Sequence, residues 1–114
     1  MNRLLILLVL LIGGCAKGAE ADLPAIGEAR SLAAEWALVN EQAARGNLTD
    51  VYVQTMRRQL RQQLQSAKSS LSRPDARYGR DMQALLAEPD DAAPGALRAY
   101  AANLRAIEDS LESD

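Results

Sequence analysis

Residues 36–60 read WALVNEQAARGNLTDVYVQTMRRQL, and this stretch decides the fold. Apolar side chains recur every three or four residues on both sides of Gly46, which is the spacing of one face of a helix. Gly46 suits the position that ends a helix, and Asn47 is a good N-cap for a second helix with Asp50 at its third position. The stretch therefore predicts an αα-hairpin of two antiparallel helices joined at Gly46-Asn47.

The same spacing continues outward from this joint and predicts four helices. Two long helices are expected over 24–45 and 48–71, followed by a shorter one over 75–88 and a last one that begins at Pro94. Ala and Leu are abundant and β-branched residues are few, which favours helix over sheet. The predicted fold is all-α, a small antiparallel bundle of two long and two shorter helices. Its apolar faces carry Ala25, Ala29, Leu32, Trp36, Val39 and Ala43; Val53, Met56, Leu60, Leu64, Ala67 and Leu71; Tyr78, Met82, Leu85 and Leu86; and Leu97, Tyr100, Ala101, Leu104, Ile107 and Leu111.

The first fifteen residues read MNRLLILLVLLIGGC and form a separate unit. An apolar run over 4–12 follows Arg3, and it is shorter than the roughly 20 residues that a membrane-spanning helix needs. The run has the proportions of the apolar region of a secretory signal peptide. The residues Ile12-Gly13-Gly14-Cys15 resemble the lipobox of bacterial lipoproteins, in which an aliphatic residue and two small residues precede a Cys.

The resemblance implies that the thiol of Cys15 carries a diacylglyceryl group and that Cys15 begins the mature chain. It divides the chain into a signal peptide over 1–14, a lipidated Cys with a short tether over 15–23, and a helical domain over 24–112. Ala16-Lys17 lacks the Asp that retains Gram-negative lipoproteins at the inner membrane, so the resemblance favours the periplasmic leaflet of the outer membrane in such a cell. A competing interpretation is an ordinary signal peptide that is cut before Asp22.

The composition excludes several classes of function. The chain has 13 basic and 15 acidic residues, one Cys and no His. Without His, and with the thiol assigned to the lipid, the Ser-His-Asp and Cys-His arrangements are excluded, and we predict no enzyme, cofactor or metal site. The net charge of -2 argues against a nucleic-acid partner. Glu88, Asp90 and Asp91 are interpreted as a solvated loop that caps the last helix, in preference to a calcium site.

Charge is segregated along the mature chain. Residues 50–73 carry five basic groups and one acidic group, whereas the segments on either side are net negative. Arg57, Arg58 and Arg61 are therefore the candidate partner-binding residues. One interpretation is a solvated face that pairs with the acidic helices. The other is an exposed basic strip for an anionic partner, either anionic lipid or an acidic protein.

Together these patterns predict a lipid-anchored, periplasm-facing helical accessory module, binding or structural, attached to the membrane through its N-terminal lipid. The alternative is a lipid-bound transport or chaperone module with an apolar cleft between the helices, lined by Trp36, Tyr52, Tyr78 and Tyr100. Trp36 is expected to be buried against the second helix. Large apolar residues are few, which leaves a homo-oligomer open as a further means of burial.

Overall fold

A computed structural model of the chain describes residues 18–113. The predicted signal peptide, the lipobox and Cys15 lie outside the described residues. The described part is all-α: a 3₁₀-helix over Ala19–Asp22 precedes α1 over Leu23–Ala44, α2 over Asp50–Ser69, α3 over Arg77–Leu86 and α4 over Pro94–Glu112. The predicted four-helix bundle is confirmed. Within it α3 is the one short helix, because α4 has 19 residues and α2 has 20.

The joint between α1 and α2 forms where the sequence predicts it, with a different capping residue. Gly46 has φ 74°, in the left-handed region that favours glycine. The N–H groups of Gly46 and Asn47 donate to the carbonyls of Ala43 and Gln42, which closes the C-terminus of α1. Because Asn47 is used there, the prediction that it caps α2 is wrong. Thr49 is the N-cap, and its hydroxyl accepts from the Tyr52 N–H at 3.2 Å.

Helix α1 is the central element of the bundle. It packs most extensively against α4 and next against α2, while α3 closes the structure beside α2 and α4. The predicted stripe on α1 is buried down to Val39, and a second row is buried beside it: Ile26, Ala33, Ala37 and Asn40. Two ion pairs also join α1 to α4, Arg30 with Glu108 and Glu41 with Arg98. A helix covered on two sides needs two rows of buried residues, and this explains the wider face.

The N-terminal segment belongs to the fold, so the predicted tether over 15–23 is wrong for its described part. Residues 19–22 form the 3₁₀-helix, and Leu23 already begins α1. Asp22 is only 1% exposed. The 3₁₀-helix packs against both α1 and α4. The sequence of this segment is small, charged and without periodicity, and its order comes from contacts with residues about 50 positions later in the chain.

Within residues 18–113, none of the helices combines the length and the apolar character that crossing a bilayer needs.

Gly79 provides a test of how the loop between α2 and α3 packs on α3. A Cβ atom at Gly79 would overlap the carbonyl oxygen of Pro74 and lie 2.8 Å from its carbonyl carbon. Gly79→Ala is expected to lower the free energy of unfolding by about 1–3 kcal/mol, because backbone must move to admit the methyl group.

Gly95 is the matched control, since it is also helical and a Cβ there meets nothing within 4 Å. Gly95→Ala is expected to be neutral or to raise stability by up to about 1 kcal/mol. Thermal and urea denaturation of the two variants measures both effects. Equal stabilities for the two variants would contradict the close approach of Pro74 to Gly79.

Candidate functional site

Two side chains of α1 fix the loop between α3 and α4. Trp36 is 1% exposed, and its Nε1–H donates to the backbone carbonyl of Asp90 at 3.0 Å. Asn40 lies one helical turn further on, and its Nδ2 donates to the carbonyls of Asp90 at 3.0 Å and Ala92 at 2.8 Å. The irregular backbone of the loop is therefore held by side-chain donors from the centre of the bundle.

Arg61 of α2 completes this arrangement from the opposite side. Its Nε donates to the carboxylate of Asp90 at 2.7 Å, and its other nitrogens donate to the carbonyls of Leu86 and Glu88. The guanidinium also lies over the Trp36 ring, 4.7 Å from its centre. Because Leu86 is the last residue of α3, the cation of Arg61 also sits at a helix C-terminus, where it is favourable. We call Trp36, Asn40 and Arg61 the loop clamp.

A surface cavity of about 370 Å³ opens beside the loop clamp. We call it the arginine groove. Its lining consists of Gln54, Arg57, Arg58, Arg61 and Asp90. The structure thus brings together the three arginines that the charge pattern singles out. Three guanidinium groups face one carboxylate, so the groove has a net positive charge.

The three arginines of the groove have different surroundings. Arg61 is paired with Asp90, as described. The Nε of Arg57 donates to Oδ1 of Asn40 at 2.9 Å, which is a neutral partner. Arg58 is exposed. Within residues 18–113 neither Arg57 nor Arg58 forms an ion pair, so two of the three positive charges are uncompensated.

A second cluster of polar groups fastens the N-terminal segment at the far end of α2. Oδ1 of Asp22 accepts from the N–H of Ser72 at 2.7 Å and from its hydroxyl at 3.0 Å. Oδ2 accepts from the Arg73 N–H at 3.1 Å and from the Tyr78 hydroxyl at 2.5 Å. The Ser72 hydroxyl also lies 2.9 Å from the carbonyl oxygen of Gly18, so its single hydrogen is shared between Gly18 and Asp22. We call these residues the N-terminal clasp.

Burial and hydrogen bonding act in opposite directions on the clasp carboxylate. Burial raises the pKa of Asp22, but the hydrogen bonds from Tyr78, Ser72 and Arg73 outweigh it and hold this pKa below its ordinary value. Burial and the neighbouring carboxylate raise the pKa of Tyr78 to about 12. At neutral pH the clasp therefore consists of an ionised acceptor and a protonated donor, which is the pairing that the geometry requires.

The four aromatic residues lie in different surroundings, although each falls on or beside an apolar stripe, which predicts core packing, with a ligand cleft as the alternative. Trp36 belongs to the loop clamp, Tyr78 belongs to the N-terminal clasp and Tyr52 is 48% exposed. Tyr100 is half-buried, and its hydroxyl donates to Glu88 at 3.4 Å. Core packing is confirmed for Trp36 and Tyr78, whereas it is wrong for Tyr52 and only partly right for Tyr100.

The acidic loop does not cap the last helix, so that prediction is wrong. The N-cap of α4 is Ala93, which makes no side-chain cap hydrogen bond. The Asp90 carboxylate faces Arg61 instead. In the part of the chain that the structure describes, no group of three or more His, Cys, Asp or Glu residues is placed to hold a metal ion.

Two key residues escaped the sequence-based prediction. Asn40 lies four positions after Trp36, so its place on the buried face of α1 is visible in the spacing. Asp22 gives no such signal. No protein-family model, curated protein or solved structure matches this chain, so the assignment of function rests on its own residues.

Proposed function

We propose that the protein is a lipid-anchored helical accessory module of the cell envelope, held to the membrane by a diacylglyceryl group on Cys15. The observation that carries the proposal is the short distance in sequence between the lipobox and the fold. Only Ala16 and Lys17 separate Cys15 from Gly18, which is already bonded to Ser72. Removal of residues 1–14 would therefore leave every described contact intact.

The competing cleavage before Asp22 fits this arrangement less well. It would remove most of the 3₁₀-helix and the Gly18 carbonyl that accepts from Ser72. It would also place a new charged amino group on Asp22, a residue that is 1% exposed. Burying a further charge is costly unless that charge is paired. These considerations support cleavage at Cys15.

A binding role for the module is supported by the arginine groove. Arg57 and Arg58 present two positive charges that no carboxylate of residues 18–113 neutralises. Arg61 contributes to the shape of the groove through the loop clamp and is already occupied by Asp90. The anionic partner is therefore proposed to contact Arg57 and Arg58, with Arg61 as a structural support.

The accessory module is favoured over the alternative of a transport or chaperone module with an apolar cleft. Small and branched side chains pack closely in the centre of the bundle. Ala29, Ala33 and Ala37 of α1 are fully buried, as are Leu85, Leu97 and Leu104 of the neighbouring helices. A core packed in this way favours a module that binds its partner on its surface over one that holds a ligand between its helices. In a cell with two membranes, the sequence after Cys15 supports the periplasmic leaflet of the outer membrane.

Substitution of the lipidated residue tests the proposal. Cys15→Ser is expected to abolish labelling by radioactive palmitate and to shift the protein from the membrane fraction to a precursor or soluble form. The physical reason is that only a thiol at this position can form the thioether.

Ala21→Leu is the matched control, because it destroys the Ala19-Glu20-Ala21 cleavage site and leaves Cys15 untouched. This variant should be labelled and fractionate as the wild type does. The proposal would be contradicted if Ala21→Leu blocked processing while Cys15→Ser left fractionation unchanged.

A further inference from the structure

Two further cavities each share one lining arginine with the arginine groove. Arg61 is shared with a cavity of about 630 Å³ whose other walls are Gln62, Gln65, Ser66, Gln83 and Leu86. Arg57 is shared with a cavity of about 290 Å³ whose other walls are Asn40, Ala43, Ala44, Asp91, Ala92 and Pro94, so a second carboxylate besides Asp90 lies along the lining. We call the three together the extended groove. Cavities that share a wall side chain are neighbours. The two larger cavities lie along α2 from Gln54 to Ser66, and the smallest adjoins them at the C-terminal end of α1.

The dimensions of the extended groove suit a short stretch of extended chain. From Arg57 to Ser66 the groove follows nine residues of α2, which corresponds to about 13 Å at 1.5 Å per residue. An extended polypeptide rises about 3.3 Å per residue, so about four residues match this length. Alternate side chains of such a segment point to the same side and could all face α2.

The lining of the extended groove is chemically suited to an acidic peptide. The guanidinium group is a forked donor that fits a carboxylate, and Arg57 and Arg58 are without one within residues 18–113. Gln62, Gln65 and Gln83 are exposed, and each amide supplies both donors and an acceptor. Such amides match the N–H and C=O groups of a peptide backbone. The lining therefore offers partners for both the side chains and the backbone of an extended acidic segment.

The position of the groove favours a protein over the membrane that would hold the lipid. The N-terminal clasp ties Gly18 to the loop after Ser69, the end of α2 where the chain from Cys15 enters the fold. Arg58 lies eleven residues before Ser69, or about 17 Å along the helix. Arg57 and Arg58 thus lie on the side of the bundle, away from the end at which the anchor enters, and only the part of the extended groove at Ser66 approaches that end.

We propose that the extended groove binds an extended acidic segment of another envelope protein, with Arg57 and Arg58 as the residues that pair with its carboxylates. This rests on the binding role proposed above, and the choice of an envelope protein as the partner also rests on the proposed lipid anchor. Arg61 and Asn40 act as positioning residues, since they hold the loop that forms the opposite wall and the Arg57 side chain.

A peptide titration tests the proposal on the protein purified from membranes in nonionic detergent. The probes are a six-residue peptide of alternating Glu and Ser, its counterpart of alternating Gln and Ser, and phosphatidylglycerol added to the micelles. The Nε–H resonances of Arg57 and Arg58 report binding. The acidic peptide should shift both in a saturable manner, and the neutral peptide should not. The shifts should diminish as salt rises, because ions screen exposed charges.

Single substitutions locate the binding site. Arg58→Gln is expected to weaken peptide binding about fivefold, the value of one exposed charge pair. Arg57→Gln is expected to weaken it at least as much. The Arg58 side chain forms no hydrogen bond or ion pair within residues 18–113. Its variant therefore keeps the fold, and its effect can be interpreted even if Arg57→Gln is destabilised. Arg105→Gln is the matched control: it removes an exposed arginine from α4, which does not contact α2, and affinity should stay within about twofold.

Two results would overturn the proposal, and they differ in what else they contradict. If phosphatidylglycerol shifts the two arginine resonances and the acidic peptide does not, the partner is a lipid surface and only the peptide assignment fails. If neither probe shifts them, the binding role assigned to the arginine groove fails as well. Equal affinities of Arg58→Gln and wild type for the peptide would also place the site elsewhere.

Discussion

Replacing Trp36 by Ala is expected to lower the free energy of unfolding by about 3–5 kcal/mol. The indole is 1% exposed and is the largest fully buried side chain of the described core. Its removal would leave a cavity beneath the Arg61 guanidinium and take away the donor that holds the Asp90 carbonyl. Since a domain of this size is stable by about 5–15 kcal/mol, the variant should lose a large part of its stability.

Leu38→Ala is the matched control, because Leu38 lies on the same helix and is 52% exposed. Its effect should stay within about 0.5 kcal/mol. Chemical denaturation followed by circular dichroism measures both variants. If Trp36→Ala melted within a few degrees of the wild type, the assignment of Trp36 to the core and to the loop clamp would be wrong.

Removing the carboxylate of Asp22 is expected to have the next largest effect. Asp22→Ala leaves the Tyr78 hydroxyl and the N–H groups of Ser72 and Arg73 without their acceptor. A buried donor without an acceptor costs about 1–3 kcal/mol, so we expect a loss of about 2–4 kcal/mol in total. Asp75→Ala removes an exposed carboxylate from the loop that contains Ser72 and Arg73, and it should change stability by less than about 0.5 kcal/mol. Equal effects of the two substitutions would contradict the N-terminal clasp.

The clasp also predicts how stability depends on pH. The pKa of Asp22 is lower in the folded protein than its ordinary value of 3.8, so the folded state favours the ionised form. This contribution is complete at neutral pH and is lost as the pH falls through the folded-state pKa. The stability difference between wild type and Asp22→Asn should therefore be constant near neutral pH and shrink below about pH 4. A difference that stays constant down to pH 2 would contradict an ionised Asp22.

Local signals were sufficient to predict the helices. Gly46 predicts the end of α1, and its φ of 74° in the structure agrees with that prediction. Pro94 predicts the start of α4 and is its first residue. The apolar spacing identified Trp36 and Leu64 as core residues. These features depend on neighbours within a few positions, and that information is present in any short window of the chain.

Contacts between distant positions could not be predicted in the same way. Periodicity shows which face of α1 is buried, but it does not show that α4 is its main partner. Asp22 is ordered by residues about 50 positions away, and the sequence around it resembles an unstructured linker. The three arginines of α2 look equivalent in the sequence. Only the structure separates Arg61, which is bonded to the loop between α3 and α4, from Arg57 and Arg58.

The different contacts of Arg61 and of Arg57 and Arg58 determine which substitutions can test binding in the arginine groove. Reversing all three charges together would break the loop clamp at Arg61 and lower stability, whatever the partner. Binding and folding would then change at the same time. Substitutions at Arg57 and Arg58 keep the ion pair between Arg61 and Asp90 and therefore report on binding.

The lipid anchor is the central claim, and the intact mass of the protein purified from its membrane tests it most directly. The predicted result is a chain that begins at Cys15 and whose mass exceeds that of residues 15–114 by a diacylglyceryl group, with or without a further acyl chain on the new N-terminus. An unmodified chain that begins at Asp22 would contradict the claim, as would a chain with a free thiol at Cys15.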